Sequence, residues 1–227
     1  SSAIIENNNI TANGESGILC GDSNPTIQGN EIMENTDLGV NFIGWGNGIL
    51  QGNMIVKNWK GIQLVHHCAP LIHGNIIAYN DDQGILCGDN SKPLVNKNGI
   101  YSNGGYGIIN VDPSATINAT YNYWGSVNGP VLATPDSVDP EEVSGNVIYN
   151  PWLTESIIIL EIVSPLSGET ISANFTVSTN VRALGGIQRV DFHVDNQLKY
   201  TDFDPPYEWN WDTTEYTETF HEITAVA

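Results

Sequence analysis

The sequence predicts an all-β fold in which a parallel β-helix of six to seven rungs precedes a small antiparallel β-sandwich. Two observations lead to this prediction. The phrase Asn-x-Ile-x-x-Asn occurs five times within residues 8–103, at a spacing of 22 or 23 residues, and such a period is typical of stacked repeats. After residue 154 the period ends, and short stretches of alternating apolar and polar residues follow.

Each copy of the repeat carries the same residues in the same register. The first asparagines are Asn8, Asn30, Asn53, Asn75 and Asn98, and the second are Asn13, Asn35, Asn58, Asn80 and Asn103. The isoleucines between them are Ile10, Ile32, Ile55, Ile77 and Ile100. A glycine followed by an apolar residue recurs at Gly17-Ile18, Gly39-Val40, Gly61-Ile62, Gly84-Ile85 and Gly107-Ile108.

The residue types favour strands over helices. Gly and Asn interrupt every apolar run, which excludes helical repeats. The remaining apolar stretches, such as Gly-Ile-Leu-Cys at 17–20 and 84–87, are short enough for three strands in each repeat. A coil of this length is one rung of a parallel β-helix, with rungs roughly 4.8 Å apart. We therefore expect the isoleucines to point inward and stack.

The asparagine columns have a structural interpretation. Asparagine suits turns, because it tolerates the left-handed conformation and its amide can bond the backbone. Stacked from rung to rung, these amides can also form a hydrogen-bonded ladder. The period continues in weaker form to Asn122 and Asn146, and we expect an insertion rich in Pro, Asp and Glu at residues 130–144 to bulge out between two rungs.

The end of the repeat region resembles a known family. Asn122-Tyr123-Trp124-Gly125-Ser126, then Gly129-Pro130 and Val147-x-Tyr149-x-Pro151-Trp152-Leu153, is similar to the closing segment of right-handed parallel β-helix proteins of the NosD-like, pectin-lyase-like group. The resemblance covers residues 1–154. It implies a right-handed coil and an extracytoplasmic setting, but no single activity, since this fold carries lyases, hydrolases, adhesins and scaffolds.

Residues 155–227 form the predicted second domain. The stretches Val190-Asp191-Phe192-His193-Val194-Asp195 and Pro206-Tyr207-Glu208-Trp209-Asn210-Trp211-Asp212-Thr213 alternate as strands do. Together with the final Ile223-Thr224-Ala225-Val226-Ala227 they resemble bacterial and archaeal Ig-like surface modules. Such modules continue for one more strand, so we expect a sandwich that lacks its last strand.

Both ends of the sequence suggest the same pair of alternatives. The first rung begins within five residues of Ser1, and the expected sandwich would expose an unpaired edge. The sequence is either a piece of a longer surface protein, or its ends are completed by neighbouring copies. The second alternative predicts a homo-oligomer or polymer joined by end-to-end or edge-strand contacts.

Composition excludes several classes of function. Acidic residues outnumber basic ones by 26 to 7 among 227 residues, for a net charge of −19, which argues against nucleic-acid or anionic-membrane binding. No apolar stretch is long enough to span a membrane. An acidic surface is typical of extracellular or cell-surface proteins.

The three cysteines are expected to be buried free thiols. Cys20 and Cys87 fall in one column about 14 Å apart by the rung spacing, which is beyond disulfide reach, and Cys68 lies outside that column.

One column is a candidate catalytic or metal site. Five residues after each column glycine stand Asp22, Gly44, His66, Asp89 and Asp112. Stacked carboxylates with His66 could serve acid–base chemistry on a sugar, with His66, Asp89 and Asp112 as candidates, and Asp22, Asp89 and Asp112 could bind Ca²⁺. The simpler interpretation is that Asp favours the turn after a strand. The sequence leaves enzymatic activity open and favours the structural interpretation.

Exposed aromatic side chains are the candidates for glycan binding. Trp45, Trp59, Tyr79 and Tyr101 fall at or near turns, where their rings could stack on sugars or cover the corners of the coil. Sequons at Asn9, Asn118 and Asn174 are candidate glycosylation sites. The sequence therefore predicts an extracellular structural protein that self-assembles or belongs to a larger adhesin. The alternative is a module that binds or cleaves polysaccharide.

Overall fold

The structure, a computed structural model, describes residues 2–132, 142–183 and 187–227. The chain divides into two units, Ser1–Ile157 and Ile158–Ala227. Across the described ranges the regular elements are β-strands and one short 3₁₀ turn, with no α-helix. Accordingly, no helix in these ranges has the length and apolar character needed to cross a bilayer.

The strands of the first unit are short and separated by turns. In chain order they are β1 (Ile4–Glu6), β2 (Asn9–Thr11), β3 (Ile18–Gly21), β4 (Thr26–Gln28), β5 (Glu31–Met33), β6 (Leu38–Ile43), β7 (Ile49–Gln51), β8 (Met54–Val56), β9 (Lys60–Val65), β10 (Leu71–His73), β11 (Ile76–Ala78), β12 (Ile85–Cys87), β13 (Leu94–Asn96), β14 (Gly99–Tyr101), β15 (Ile108–Asn110), β16 (Ile117–Asn118), β17 (Val131–Leu132), β18 (Glu142–Ser144) and β19 (Val147–Ile148).

These strands form three parallel sheets that together make a β-solenoid. The first sheet has the order β1-β4-β7-β10-β13-β16-β19, the second β14-β11-β8-β5-β2, and the third β17-β18-β15-β12-β9-β6-β3. A full turn takes one strand from each sheet, so the five strands of the second sheet give about five complete turns. The predicted parallel β-helix is confirmed, and the two seven-stranded sheets agree with the predicted six to seven rungs more closely than the second sheet does.

The first two sheets each send one column of apolar side chains into the core, and the third sends a second column as well, made of Cys20, Phe42, Leu64 and Cys87. The parallel register pairs Ile32 with Ile55 and Ile77 with Ile100, as the repeat predicts. The fully buried members are Ile27, Leu50, Ile72 and Val95 in the first sheet, Ile32, Ile55, Ile77 and Ile100 in the second, and Val40, Ile62, Ile85 and Ile108 in the third. Since burying one such side chain contributes about 1.5–3 kcal/mol, these columns are a main source of the coil's stability.

The two asparagine columns form hydrogen-bonded ladders at the corners of the second sheet. Asn53 shows the pattern. Its side-chain Nδ2 donates to Ile27 O at 2.8 Å in the preceding rung and to Asn75 Oδ1 at 2.9 Å in the following one. Its Oδ1 accepts from the backbone N and the side-chain Nδ2 of Asn30. Each amide therefore joins three rungs, which confirms the predicted ladder.

The left-handed conformation does not fall on the asparagines themselves, contrary to the expectation from the sequence. Positive φ occurs at the residue before each ladder asparagine, namely Asn7, Ala12, Gly29, Glu34, Gly52, Lys57, Gly74, Tyr79, Lys97, Ser102 and Tyr121. The reason is the reach of the amide, which closes a turn around that residue, as when Asn75 Nδ2 donates to His73 O at 3.0 Å.

The column glycines are needed because the ladder lies against them. A Cβ on Gly61 would lie 2.5 Å from Gly84 O, 2.8 Å from Ile77 Cγ2 and 3.0 Å from Asn80 Nδ2. Real Cβ atoms do not approach backbone oxygen so closely, so Gly17, Gly39, Gly61 and Gly84 exclude a side chain, whereas a Cβ on Gly107 would meet nothing closer than 3.4 Å. The repeat thus keeps glycine where the corner of the coil is tightest.

The described ends of the predicted insertion, residues 130–144, belong to the third sheet. Strands β17 and β18 are parallel neighbours, and β18 also pairs with β15. These ends therefore extend the sheet and do not bulge out between two rungs as expected, while residues 133–141 lie outside the described residues. In the closing segment that carries the family resemblance, Trp124 is fully buried and Trp152 Nε1 donates to Val127 O at 3.1 Å.

The second unit is an antiparallel sandwich. Its strands are β20 (Ile159–Ser164), β21 (Asn174–Arg182), β22 (Val190–Val194), β23 (Gln197–Asp202), β24 (Glu208–Asp212) and β25 (Ile223–Val226), with a 3₁₀ turn at Thr213–Glu215. One sheet has the order β20-β21-β24 and the other β23-β22-β25. The core between them is made of Val177, Val190, Phe192, Val194, Trp209 and Trp211.

Two features of the second unit concern its last strand, β25. Strand β25 pairs with β22, and the described residues supply no strand for its other edge. A side-chain clip fixes the segment before β25, where His221 Nδ1 lies 2.7 Å from Asp195 Oδ2 and Glu222 N donates to Asp195 Oδ1 at 3.0 Å. The clip ties this segment to the turn between β22 and β23.

Candidate functional site

The corner that follows the third sheet gathers the candidate catalytic residues. Strands β3, β6, β9 and β12 each end at this corner, where Asp22, Gly44, His66 and Asp89 have φ values of 43°, 91°, 65° and 49°. A left-handed residue lets the chain turn sharply out of the sheet, and Asp tolerates that conformation. The column is thus a series of turns, as the simpler interpretation of the sequence predicts.

The three catalytic candidates do not come together. His66 Nε2 lies 3.3 Å from Asp89 Oδ2, and both side chains are more than half exposed. Asp112 is held by backbone and hydroxyl donors: its Oδ1 accepts from the backbone N of Ser114 at 2.8 Å and from its Oγ at 2.6 Å, and its Oδ2 accepts from Asn90 N in the preceding rung. These hydrogen bonds hold the pKa of Asp112 below its usual value, so this carboxyl is a poor proton donor.

The predicted Ca²⁺ ligands are also separated. Asp22 Oδ1 accepts from the backbone N of Trp45 at 2.9 Å, so this carboxylate stabilises the corresponding turn of the next rung. In the ranges that the structure describes, no three His, Cys, Asp or Glu side chains lie close enough to hold a metal ion. Asp22, Asp89 and Asp112 therefore do not form the cluster that the sequence suggested, because they occupy different rungs.

The same corner holds an aromatic stack. The ring centroids of Trp45 and His67 lie 4.5 Å apart with planes 12° from parallel. His67 Nδ1 lies 3.2 Å from Asn90 Nδ2, which places the imidazole between the indole and the next rung. Trp45 is 73% exposed, so the indole face away from His67 is open to solvent.

The other glycan candidates are less available. The Nζ of Lys60 lies 3.3 Å from the ring centroid of Trp59, so a cation covers one face of that half-exposed indole. Lys60 Nζ also pairs with Asp82. Tyr79 is 46% exposed and contacts Tyr101 edge-on, with centroids 6.3 Å apart.

Tyr101 differs from the expectation of an exposed ring. It is 8% exposed, because Tyr79 and Tyr123 pack against it edge-on from neighbouring rungs. Burial raises the pKa of its phenol. Its ring therefore belongs to the stacking between rungs and offers no free face to a sugar.

The remaining sequence candidates are the sequon asparagines and the cysteines. The sequon asparagines Asn9, Asn118 and Asn174 are all exposed. Cys20, Cys68 and Cys87 are buried free thiols, as predicted. Burial raises the pKa of Cys20 to about 12, so this thiol is not a nucleophile at neutral pH.

Sequence reasoning missed the stack of Trp45 on His67. The signal was present, because Trp45, His67 and Asn90 each follow directly after a member of the corner column. It also missed a polar ladder on the outer face of the first sheet. There Gln28 Nε2 donates to Glu6 Oε2 at 2.8 Å and Gln51 Nε2 donates to Gln28 Oε1 at 2.9 Å.

Comparison with known proteins identifies both units. The family described as "Right handed beta helix region" matches residues 1–122, and "Bacterial Ig domain" matches residues 160–225. Searches of curated proteins and of solved structures gave no match. Both domains are typical of surface or extracellular proteins, and together they indicate a surface or adhesin-like protein.

Proposed function

Because the chain belongs to the right-handed β-helix family and also carries a bacterial Ig domain, we propose that it is an extracellular structural protein, in which the β-helix is a stiff spacer and the Ig unit a joining module. It serves as the repeating element of a self-assembled fibre, sheath or surface layer, or as part of a larger adhesin. In this role the chain bears mechanical load, and its binding partner is the surface of another protein.

The observation that carries this proposal is the direction of the hydrogen bonds in the β-helix. The strands pair from rung to rung, and the asparagine amides bond in the same direction, as from Asn53 to Asn75 and from Asn75 to Asn98, each at 2.9–3.0 Å. Asn53 and Asn75 are fully buried, where hydrogen bonds are strengthened by the low dielectric. A tensile force along the coil axis is therefore distributed over many hydrogen bonds between rungs.

The joining role is supported by the edges of the sandwich. Strand β25 has one free edge among the described residues, and β20 forms an edge of the other sheet. Exposed apolar side chains lie on both, with Val226 54% and Val163 46% exposed. An edge of this kind accepts a further strand from another segment or another copy.

Analytical ultracentrifugation with electron microscopy of the purified chain tests the assembly. We expect fibres, sheets or concentration-dependent oligomers, reduced by Val226→Lys because a charge at the β25 edge opposes strand pairing. Leu94→Lys changes an exposed apolar residue on β13, which has a neighbouring strand on each side, so it is the matched control and should assemble as the parent does. If the chain stays monomeric at micromolar to millimolar concentration, self-assembly is excluded. The remaining alternative is then that the chain is part of a larger adhesin.

A second candidate function, carbohydrate binding or cleavage, is favoured by the open face of Trp45. For cleavage, the relevant pair is His66 and Asp89, whose side chains lie 3.3 Å apart and are more than half exposed. A lyase and hydrolase assay on polysaccharides, with and without Ca²⁺, tests this candidate. Activity that His66→Ala abolishes would replace the structural function with an enzymatic one.

A further inference from the structure

The outer face of the third sheet is an uncharged surface on an acidic chain. Along β3, β6, β9, β12 and β15 the outward residues form two parallel rows. The first row is Leu19, Asn41, Gln63, Leu86 and Ile109, and the second, two residues later on each rung, is Gly21, Ile43, Val65, Gly88 and Val111. None of these residues is charged, although the chain has a net charge of −19. Two copies can therefore approach through this face without the repulsion between like charges.

The face is also apolar and open to solvent. Leu19 is 65% exposed, Val111 is 56% exposed and Ile43 is 36% exposed. Apolar residues scattered singly over a surface are common, but these three lie on one face in two continuous rows. A contiguous apolar patch with polar residues at its border is typical of an interaction site.

Two rungs of this face combine a protruding leucine with a hollow. The hexapeptide Gly-Ile-Leu-Cys-Gly-Asp occurs unchanged at 17–22 and at 84–89, so on both rungs a first-row leucine stands beside a second-row glycine. A Cβ on Gly21 would have no heavy atom within 4 Å, which leaves an open hollow beside Leu19. A Cβ on Gly88 would meet only valine methyl groups, the nearest at 3.1 Å, so this second hollow has apolar walls.

These leucines and glycines are complementary between two copies of the chain. A two-fold axis that runs along the coil direction between two facing sheets sets the first row of one copy over the second row of the other, rung by rung. Leu19 then lies over Gly21 of the second copy and Leu86 over Gly88 of the second copy, and the symmetry repeats both contacts. Packed sheets lie about 10 Å apart, which leaves room for a leucine to fill a glycine hollow.

Charge at the border of the face favours this arrangement, in which the two coils run in the same direction. Asp22, Asp89 and Asp112 lie along one border, directly after the second row. Coils that ran in opposite directions would set this acidic column against itself, with Asp22 opposite Asp112 of the second copy. Coils that run in the same direction set it against the border of column glycines instead. Like charges held together weaken an interface, so the parallel arrangement is the favoured one.

The size of the face indicates a weak contact. Five rungs span roughly 19 Å along the coil, and the two rows lie roughly 7 Å apart. This is less than the surface of about 800 Å² that each partner buries in a stable complex. A contact of this size holds copies together only where further contacts act at the same time, as in an assembly.

From these observations we propose that two copies of this chain pack side by side, with parallel coils, through the outer face of the third sheet. Leu19 and Leu86 of each copy fill the hollows at Gly21 and Gly88 of the other. The proposal rests on the self-assembly proposed above and assigns its lateral contact, whereas the edges of the sandwich supply the joining contact.

Sedimentation equilibrium of the Val226→Lys chain is the test, because this variant blocks the edge contact and leaves the lateral one. We expect a reversible dimer between high micromolar and millimolar concentration. Leu19→Lys and Gly21→Glu, each added to that chain, should weaken the dimer by at least about tenfold, the loss expected for a central contact. Leu94→Lys is the control, since it places the same charge on the outer face of the first sheet, and it should leave the affinity unchanged.

An equimolar mixture of the Leu19→Lys and Gly21→Glu chains tests the register. A mixed pair contains one Lys–Glu contact and one unchanged contact of Leu19 with Gly21, so the mixture should recover the dimer that neither variant forms alone. Thermal unfolding should show that all variants fold. The proposal is overturned if the Val226→Lys chain stays monomeric at millimolar concentration, if Leu19→Lys weakens the dimer no more than Leu94→Lys does, or if the mixture stays monomeric. The edge contact is judged separately, by comparing the parent chain with Val226→Lys.

Discussion

Asn75 Oδ1 accepts two hydrogen bonds from Asn53 across one rung, from its backbone N and from its side-chain Nδ2, both at 2.9 Å. Both residues are fully buried. One side-chain oxygen thus serves as acceptor for two buried donors, of which Asn53 Nδ2 also donates to Ile27 O. This relationship, repeated along the coil, gives the ladder its energetic importance.

Removing one ladder amide should destabilise the β-helix strongly. Asn53→Ala deletes four hydrogen bonds in the core, including the one that Asn30 N donates to Asn53 Oδ1 and the one that Ile27 O accepts from Asn53 Nδ2. We expect the free energy of unfolding to fall by about 3 kcal/mol or more, measured by urea denaturation. Asn8→Ala, in an exposed rung end, is the control and should cost less than about 1 kcal/mol. Equal losses at the two sites would contradict the ladder's role.

A methyl group at a column glycine should disrupt the corner. In Gly61→Ala the new Cβ would lie 2.5 Å from Gly84 O, so the rung must shift. We expect a loss of about 1–3 kcal/mol, seen as a lower midpoint in thermal unfolding. Gly21→Ala has no heavy atom within 4 Å of its Cβ and should be nearly neutral. If both variants unfold alike, the steric explanation is wrong.

The stability of the Ig unit should depend on pH through the His221–Asp195 clip. The hydrogen bond that His221 donates to Asp195 raises the pKa of His221, and hydrogen bonds from His221 and from Glu222 N lower the pKa of Asp195. The histidine contribution is complete below about pH 6.5 and is lost as pH rises through its folded pKa. The aspartate contribution is complete above about pH 4 and is lost as pH falls through its folded pKa.

The clip therefore stabilises the Ig unit most between about pH 4 and 6.5. NMR titration of His221 should give a pKa above that of an unfolded histidine, and amide exchange before β25 should speed up at higher pH. Asp195→Asn should return the histidine pKa toward its ordinary value. An unshifted titration in the parent chain would show that the clip does not form.

The thiols should be inert in the folded protein. Burial raises the pKa of all three cysteines, that of Cys20 to about 12. A disulfide-exchange reagent should therefore label none of them rapidly at pH 8 and all three in denaturant. Rapid labelling of one thiol in the native protein would mean that its rung opens.

Period and residue type were sufficient to predict the coil. A strand that repeats every 22 or 23 residues can bury its isoleucines only by stacking, so the inward columns followed from spacing alone. The left-handed turns were placed one residue late, because propensity favours asparagine and the amide instead closes a turn around the preceding residue. Even Tyr79 and Lys57 adopt that conformation.

The candidate site was harder to predict. Asp22, Asp89 and Asp112 share a column, but the residues of one column occupy successive rungs along the coil and so do not converge on a single point. Contacts between adjacent rungs, such as Trp45 on His67, depend on side-chain orientation, which one sequence does not encode in its spacing. Tyr101 was misjudged for the same reason, since its neighbours in space are residues 22 positions away on either side.

The asparagine ladders also have a direction. In both columns each Nδ2 before the last member donates toward the following rung, as from Asn30 to Asn53 and from Asn35 to Asn58, so these amide dipoles add as vectors along the coil. A second coil would extend the same ladders only if it were joined tail to head, so that donors of one coil meet acceptors of the other. Head-to-head contact would set acceptors against acceptors. Any lattice that extends these ladders must therefore be polar, with two distinguishable ends.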